Sequence, residues 1–181
     1  YVDLGGKNIL RRTLENIFTW DGVQSVSTII NPDHKHWYNE TVHDLEMHRF
    51  IAGGVERSDS IFNALKELSH IKDDEIILIH DAARPFTKPN EIVALLEAMR
   101  THRAATLATP VVDTLRRSDK SNIAQETVSR DHLWAIQTPQ AFYYNDIKVA
   151  YEQRDLKKSY TDCTSVVADY GIRTRLVKSS R

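Results

Sequence analysis

The chain is predicted to fold as an α/β protein with three layers, in which helices cover both faces of a mostly parallel sheet. Strand-like and helix-like segments alternate along its 181 residues. Some of the strand-like segments, such as "EIILIH" and "AATLATPVV", are mainly apolar, as in sheets that are buried on both faces. No repeat, low-complexity tract or Pro/Gly-rich linker interrupts them. We therefore expect a single domain over residues 1–181 that binds ligands at the carboxyl ends of its strands.

The first half of the chain supplies four of these segments. "NILRRTLENIF" repeats its apolar residues every three to four positions, as in an amphipathic helix. "VQSVSTII" is a β-branched strand that stops at the breaker Asn31-Pro32. "HRFIAGG" is predicted as a short strand that ends at Gly53-Gly54, and "SDSIFNALKEL" as a helix that opens with cap-type residues.

The second half continues the alternation. "EIILIH" is predicted as a central strand because it is continuously apolar. "KPNEIVALLEAMR" is a helix with Pro89 near its start, where the missing N–H costs nothing. "AATLATPVV" is a buried strand, "DCTSVVADYG" is a helix that ends before Gly171, and "IRTRLVK" is a last strand.

One segment, residues 113–142, breaks the alternation because it is long, polar and without a helical period. Two short strand-like pieces in it are predicted to pair as a protruding β-hairpin arm. An excursion of this length inside a compact domain usually serves a function, as an arm or a lid. The alternative is a solvated hairpin with ordinary surface charges.

Composition excludes several classes of partner. Charged residues make up 27% of the chain and the formal net charge is −1, so we expect no broad basic surface for nucleic acid. No apolar run approaches the ~20 residues of a membrane span, and no membrane association is predicted. Cys163 is the single cysteine, which excludes an intrachain disulfide and favours a reducing, cytoplasmic location.

"IILIHDAARPF" places polar side chains at the end of a buried strand. Asp81 follows the strand directly and is suited to hold Mg²⁺, which prefers oxygen ligands and keeps substrate phosphates in its shell. Arg84 lies three residues further on and can bind a phosphate with two donors. The same residues fit equally well an Asp81–Arg84 ion pair that merely caps the strand.

"AGGVERSDSIFNAL" offers a second candidate site. At Gly53 and Gly54 the backbone can approach a ligand closely, and the helix that follows has free N–H groups at its start. Gly54 is then placed to abut a nucleobase, and Ser60 to form a hydrogen bond with it. The alternative is a plain turn with Ser58 or Asp59 as the helix cap.

Hydroxyl and guanidinium groups in the polar segment form a third candidate. Thr114, Arg130 and Thr138 together are suited to bind a phosphomonoester. Ordinary solvated side chains explain them as well. Thr161 and Asp162 stand at the start of a predicted helix, where a capping role alone accounts for them.

Taken in order, five strings make the chain similar to one family: "AGGVERSDSIFNAL", "IHDAARPF", "ATPVVDTLRR", "VSRDHLWAIQTPQAF" and "TDCTSVVADYG". Together they closely resemble the 2-C-methyl-D-erythritol 4-phosphate cytidylyltransferase family, over nearly all of the chain. The resemblance implies a Rossmann-like nucleotidyltransferase fold and a homodimer clasped by the hairpin arm of residues 113–142. It also implies that CTP, with Mg²⁺ or another divalent cation, gives its CMP to 2-C-methyl-D-erythritol 4-phosphate and releases pyrophosphate, a step of non-mevalonate isoprenoid biosynthesis.

By position, the resemblance also implies roles for single residues. Asp81 matches the metal-binding and catalytic aspartate, and Arg84 its substrate-binding partner. Thr114 and Arg130 match arm residues that reach the substrate phosphate across the dimer. The further substrate-binding positions are Thr138 and Thr161, and the nucleotide-binding positions are Gly53, Gly54, Ser60 and Ala82.

The chain also departs from the family pattern. The family's opening Gly-rich loop, with its phosphate-binding Arg and Lys, is expected before Tyr1, and a later lysine after Arg181. Val55 stands where many members carry an acidic residue. Some relatives continue into a cyclodiphosphate synthase domain. Two other functions stay open, namely CMP transfer to another acceptor such as ribitol 5-phosphate, and a non-catalytic nucleotide-binding subunit.

Overall fold

The computed structural model describes residues 1–46 and 48–180. No helix in this part of the chain is long and apolar enough to span a membrane. The strands are β1 (Val26–Ile30), β2 (His48–Ala52), β3 (Ile76–Ile79), β4 (Ala104–Pro110), β5 (Leu115–Ser118), β6 (Ala124–Val128), β7 (Trp134–Tyr143) and β8 (Thr174–Lys178). The helices are α1 (Ile9–Ile17), α2 (Lys35–Val42), α3 (Arg57–Glu67), α4 (Pro89–Met99), α5 (Tyr144–Glu152) and α6 (Cys163–Asp169), with a 3₁₀ turn at Pro32–His34.

The main sheet has four strands in the order β3-β7-β4-β8. Strand β7 runs antiparallel to both β3 and β4, whereas β4 and β8 are parallel. β3, β4 and β8 therefore run in one direction and β7 runs in the opposite direction. Most strands of this sheet are thus parallel to one another, but both hydrogen-bonded pairings made by β7 are antiparallel. β7 runs the other way because it returns from the hairpin without the helical crossover that parallel neighbours need.

Strands β1 and β2 form a separate parallel pair. A cavity of about 990 Å³ separates this pair from the main sheet, and residues of both β1 and β3 line it along their length. Among the described strands β3 has one neighbour, β7, so it lies at the edge of its sheet. This pairing concerns the described strands alone, and the position of β3 as a central strand stays a prediction, because apolar side chains report covered faces and not paired edges.

Helices cover both faces of the main sheet, which confirms the three-layer α/β prediction. Ile77 and Phe142 belong to a core shared with α3, α5 and α6. Their neighbours Leu78 and Ala141 point to the opposite face and pack with α4. Successive strand residues thus alternate between two buried faces, which explains why the strand segments read as continuously apolar.

Two helix boundaries match their sequence signals. Pro89 is the first residue of α4, and α6 ends at Asp169, with Tyr170 as its C-cap and Gly171 next. Gly171 has a φ of +89°, a backbone conformation in which a side chain would be strained. Its N–H donates to the Ala168 carbonyl at 2.9 Å and so satisfies one carbonyl of the last turn.

The polar segment 113–142 divides into two parts. β5 and β6 pair as an antiparallel hairpin, with Leu115 opposite Val128, and almost all of their side chains are exposed. The rest of the segment enters β7, a core strand in which Phe142 is fully buried. β7 was not predicted from the sequence as a strand of the main sheet.

Candidate functional site

The loop after β3 is held in place by side chains from α1. Thr13 donates its hydroxyl to the Ala82 carbonyl at 2.6 Å, and the Asn16 side-chain amide donates to the Pro85 carbonyl at 2.9 Å. Both contacts join positions 69 residues apart. The backbone that carries Asp81 is therefore fixed by tertiary hydrogen bonds.

Thr138 of β7 fixes the same loop from the other side. Its Oγ1 accepts the Asp81 N–H at 3.0 Å and lies 3.0 Å from His80 Nδ1, while His80 Nε2 lies 3.0 Å from the Arg84 carbonyl. A carbonyl only accepts, so Nε2 carries the proton and the Thr138 hydroxyl donates to Nδ1. Burial lowers the pKa of His80, in agreement with this neutral tautomer.

The carboxylate of Asp81 lies beside two guanidiniums. Arg84 Nε donates to Oδ2 at 3.1 Å, and Arg57 Nη2 lies 3.9 Å from Oδ1. The ion pair that the sequence offered as an alternative is therefore present. Because the side chains of Asp81 and Arg84 are 41% and 42% exposed, the pair contributes at most ~1 kcal/mol to stability and a ligand can displace it.

Asp81 is a modest metal ligand by itself. In residues 1–46 and 48–180, no group of three His, Cys, Asp or Glu side chains is arranged to hold a metal ion. Mg²⁺ typically takes one or two protein carboxylates and completes its shell with water and substrate phosphates. The donor set at Asp81 fits a cation of that kind, one carried largely by a phosphorylated ligand.

Arg57, the first residue of α3, is a site residue that the sequence analysis missed. Its Nη1 donates to Cys163 Sγ at 3.5 Å, and its side chain lines the cavity between β1 and β3. Cys163 lies 106 positions away, so no local pattern announces the contact. Burial raises the pKa of the Cys163 thiol, which leaves it as an uncharged neighbour.

The glycine pair forms a tight turn before α3. The Gly54 N–H donates to Ser60 Oγ at 2.9 Å, and Ser60 donates onward to the Glu56 carbonyl at 3.0 Å. A Cβ on Gly54 would lie 2.5 Å from the Asp59 Cβ, so glycine is required there. Gly53 donates its N–H to the Ile30 carbonyl at 2.8 Å, which ties the turn to the end of β1.

The start of α3 corrects one sequence-based alternative. The N-cap residue is Glu56, and Asp59 accepts the Glu56 N–H at 3.4 Å from inside the helix. The alternative that placed the cap at Ser58 or Asp59 is therefore wrong by two or three positions. The hydroxyl of Ser60, predicted to contact a nucleobase, already takes part in two hydrogen bonds within the turn.

Gln140, a further missed residue, connects β7 to the start of α6. Its side-chain amide donates to Asp162 Oδ2 at 3.0 Å, and its Oε1 accepts the Cys163 N–H at 3.1 Å. Asp162 also accepts the Ser165 N–H at 3.0 Å, which confirms its predicted capping role. Thr161 precedes this cap and is exposed.

The structure brings together only part of the predicted site. The nucleotide-binding candidates and the metal-binding candidate all line the one cavity: Gly53, Gly54, Ser60, Ala82 and Asp81. Thr114 is exposed, and Arg130 is exposed and donates to the Val112 carbonyl. Within the described residues, neither Thr114 nor Arg130 lines that cavity. The cavity of a single chain therefore lacks the two hairpin residues that were predicted to bind phosphate.

The family model described as "2-C-methyl-D-erythritol 4-phosphate cytidylyltransferase" matches residues 1–181. This chain belongs to that family. It is 35% identical to the cytidylyltransferase of Pelotomaculum thermopropionicum, over 99% of this chain and 77% of that protein. It is also 35% identical to the bifunctional enzyme IspD/IspF of Chelativorans sp., of which the match covers 45%.

Solved structures of cytidylyltransferases share the fold. A crystal structure of a 4-diphosphocytidyl-2C-methyl-D-erythritol synthase superposes with a TM-score of 0.90 at 27% identity, covering 99% of this chain and 84% of that one. The Francisella tularensis cytidylyltransferase gives a TM-score of 0.87 at 28% identity, covering 98% of this chain and 81% of that one. The Rossmann-like nucleotidyltransferase fold expected from the resemblance is confirmed.

Proposed function

We propose that this protein transfers CMP from CTP to 2-C-methyl-D-erythritol 4-phosphate and releases pyrophosphate. The observation that carries the proposal is that Asp81 and the Gly53-Gly54 turn line the same cavity. Relatives named for this activity at 35% identity support it. None of the contacts described above favours ribitol 5-phosphate or a non-catalytic role.

The reaction joins two polyanions, so their mutual repulsion is the obstacle. A phosphate oxygen of the acceptor attacks the α-phosphorus of CTP in line, forming one P–O bond as the bond to pyrophosphate breaks. Positioning and charge stabilisation then account for most of the rate enhancement. Arg57, which lines the cavity, and Arg84 supply positive charge beside Asp81.

Asp81 is the residue that would hold Mg²⁺. When bound, Mg²⁺ neutralises phosphate charge and orients the triphosphate. The protein's part is to fix the Asp81 backbone through Thr138 and α1, so that the carboxylate is in position before the ligand arrives. In this assignment Thr138, which was predicted to bind the substrate, also positions Asp81, because its hydroxyl accepts the Asp81 N–H and donates to His80.

The turn at Gly53-Gly54 suits the nucleoside half of CTP. Gly54 presents bare backbone at the cavity wall, where a base can lie without meeting a side chain. Ala82 adds a small side chain on the same wall. Ser60 stabilises the turn and keeps one acceptor lone pair for the base.

We further propose a homodimer in which the hairpin of one subunit completes the site of the other. Thr114 and Arg130 are exposed in the single chain, and an exposed guanidinium near a protruding hairpin is available to a phosphate of a partner-bound substrate. Thr161, exposed beside the start of α6, is assigned to the same acceptor. The cytoplasmic location predicted from the single cysteine stays a prediction.

Pyrophosphate release from CTP tests the proposal. The full-length protein is incubated with CTP, Mg²⁺ and, in separate reactions, 2-C-methyl-D-erythritol 4-phosphate, ribitol 5-phosphate or no acceptor. We expect release with the first acceptor alone. Release with ribitol 5-phosphate instead would reassign the acceptor, and CTP binding without release in any reaction would favour the non-catalytic alternative.

A further inference from the structure

Asp81 and the two arginines beside it, Arg57 and Arg84, carry a net positive charge. Arg84 and Arg57 approach opposite oxygens of Asp81, at 3.1 Å and 3.9 Å. Two guanidiniums and one carboxylate sum to +1. A bare divalent cation that approaches Asp81 is therefore repelled by two charges and attracted by one, whereas an anion is attracted overall.

The two guanidiniums are held differently. Arg84 donates directly to the carboxylate, whereas the 3.9 Å separation of Arg57 from Asp81 exceeds a hydrogen bond. The one hydrogen bond of the Arg57 guanidinium in the described residues is to Cys163 Sγ, a weak acceptor. Cys163 is fully buried and also accepts the Tyr151 hydroxyl at 3.2 Å, so this support is rigid.

Helix stability does not explain Arg57. It is the first residue of α3, and a positive charge there opposes the helix dipole. Most of its five N–H donors are unused within the described residues, and Arg57 is one of the residues that line the cavity. A rigidly supported guanidinium with free donors is suited to bidentate binding of a phosphate.

We infer that Arg57 is a phosphate-binding residue of the nucleotide site, and that its guanidinium leaves Asp81 for a phosphate of CTP as the cation reaches that carboxylate. This inference rests on the proposed function and adds a residue to it. One consequence is that the cation binds together with the nucleotide. The free protein, in which Arg57 and Arg84 both neutralise Asp81, has little affinity for the cation alone.

The test compares Arg57→Gln with the unmodified full-length protein in two titrations. Calorimetry measures CTP binding in the presence of Mg²⁺ and without acceptor, and electron paramagnetic resonance measures the binding of Mn²⁺ alone. We expect the variant to bind CTP at least tenfold more weakly, because it loses a charge-assisted contact. We expect it to bind Mn²⁺ alone several-fold more tightly, because Asp81 loses one competing cation.

Two further variants exclude a merely structural effect. Arg100→Gln removes an arginine that is 75% exposed at the C-cap of α4 and paired with Glu97, and is expected to change neither titration. Arg57→Lys keeps the positive charge but loses the paired donors of the guanidinium. We expect it to leave Mn²⁺ binding weak and to lower the CTP affinity less than Arg57→Gln does.

The opposite signs of the two effects make the inference falsifiable. If Arg57→Gln distorts the site, the affinities for CTP and for Mn²⁺ both fall. If Arg57 contacts neither ligand, both affinities stay unchanged. Either result overturns the inference. If the unmodified protein binds CTP and Arg57→Gln binds it equally well, the proposed function stands and this inference alone fails. If the unmodified protein does not bind CTP, both fail together.

Discussion

The loop after β3 and the hairpin of β5 and β6 are built in opposite ways. Hydrogen bonds from Thr13 and Thr138 fix the loop, and the His80 side chain bridges it to β7. The hairpin has exposed side chains on both strands, joined by a cross-strand Arg117–Glu126 pair at 2.7 Å. That pair is 68% and 66% exposed and contributes little to stability.

The contrast separates the proposed site into two halves. The nucleotide half is preorganised by the core of one chain, so binding there requires little ordering. The acceptor half depends on side chains such as Arg130, whose surroundings in the single chain are mostly solvent. We expect core variants to change turnover and stability, and hairpin variants to change the affinity for one substrate.

The largest effect is expected from Asp81→Asn, which keeps the shape of the side chain and its backbone hydrogen bond to Thr138. Loss of the carboxylate removes the proposed cation ligand, and turnover should fall by about a thousandfold or more. Steady-state pyrophosphate release measures this. The free energy of unfolding should change by less than ~1 kcal/mol, because the Asp81–Arg84 pair is exposed. Normal turnover in this variant would end the assignment.

The next effect concerns the hairpin side of the comparison. Arg130→Ala should raise the KM for the phosphorylated alcohol by about tenfold to a hundredfold, the cost of one charge-assisted hydrogen bond, and leave the KM for CTP nearly unchanged. Arg117→Ala, which removes another exposed arginine from β5, is the matched control and should change neither. Equal effects of Arg130→Ala on both substrates would show that the residue does not contact the acceptor.

A smaller effect is expected from Thr138→Val, which conserves side-chain volume and removes one hydroxyl. The Asp81 N–H and His80 Nδ1 lose their shared partner, at a cost of about 1–3 kcal/mol in unfolding free energy. Urea denaturation measures the loss. Thr127→Val on exposed β6 should stay within ~0.5 kcal/mol of the unmodified protein. Equal stabilities for the two variants would mean that the loop is not held by Thr138.

The smallest expected effect is a dependence of stability on pH. Burial lowers the pKa of His80 in the folded protein, so the unfolded chain binds the proton more readily as pH falls below about 6.5. Stability contributed by neutral His80 is therefore present above that pH and is lost below it. Urea denaturation at pH 7.5 and pH 5.5 should show a smaller decline for His80→Gln than for the unmodified protein. An unchanged decline would assign the dependence to other groups.

Side-chain patterns predicted the layers of this fold well. The apolar run of β3 correctly indicated that both faces are covered, because Ile77 and Leu78 pack on opposite sides. The apolar run could not reveal which strands pair with β3, since strand pairing is made by backbone atoms that every sequence has. β7 was not predicted because two of its buried residues, Thr138 and Gln140, are polar. In the sequence they resemble surface residues until their hydrogen-bond partners are known.

The site shows the same limit. Asp81 and the Gly53-Gly54 turn follow strands directly, so their place at one rim was predictable from topology. Arg57 and Gln140 were not, because their partners lie in α6, far along the sequence. Their positions depend on how distant segments pack, which local periodicity does not report.

The central place of β7 has a consequence for the order in which this protein acquires its structure. Residues 76–79 pair with residues 140–143, and within the described strands nothing else pairs with β3. Closing so long a loop is entropically slow, whereas the β5–β6 hairpin closes locally. We expect nascent chains that stop before residue 140 to carry a folded hairpin and an unprotected Asp81 loop. Pulsed hydrogen exchange on such ribosome-bound chains would detect this, and early protection at Asp81 would refute it.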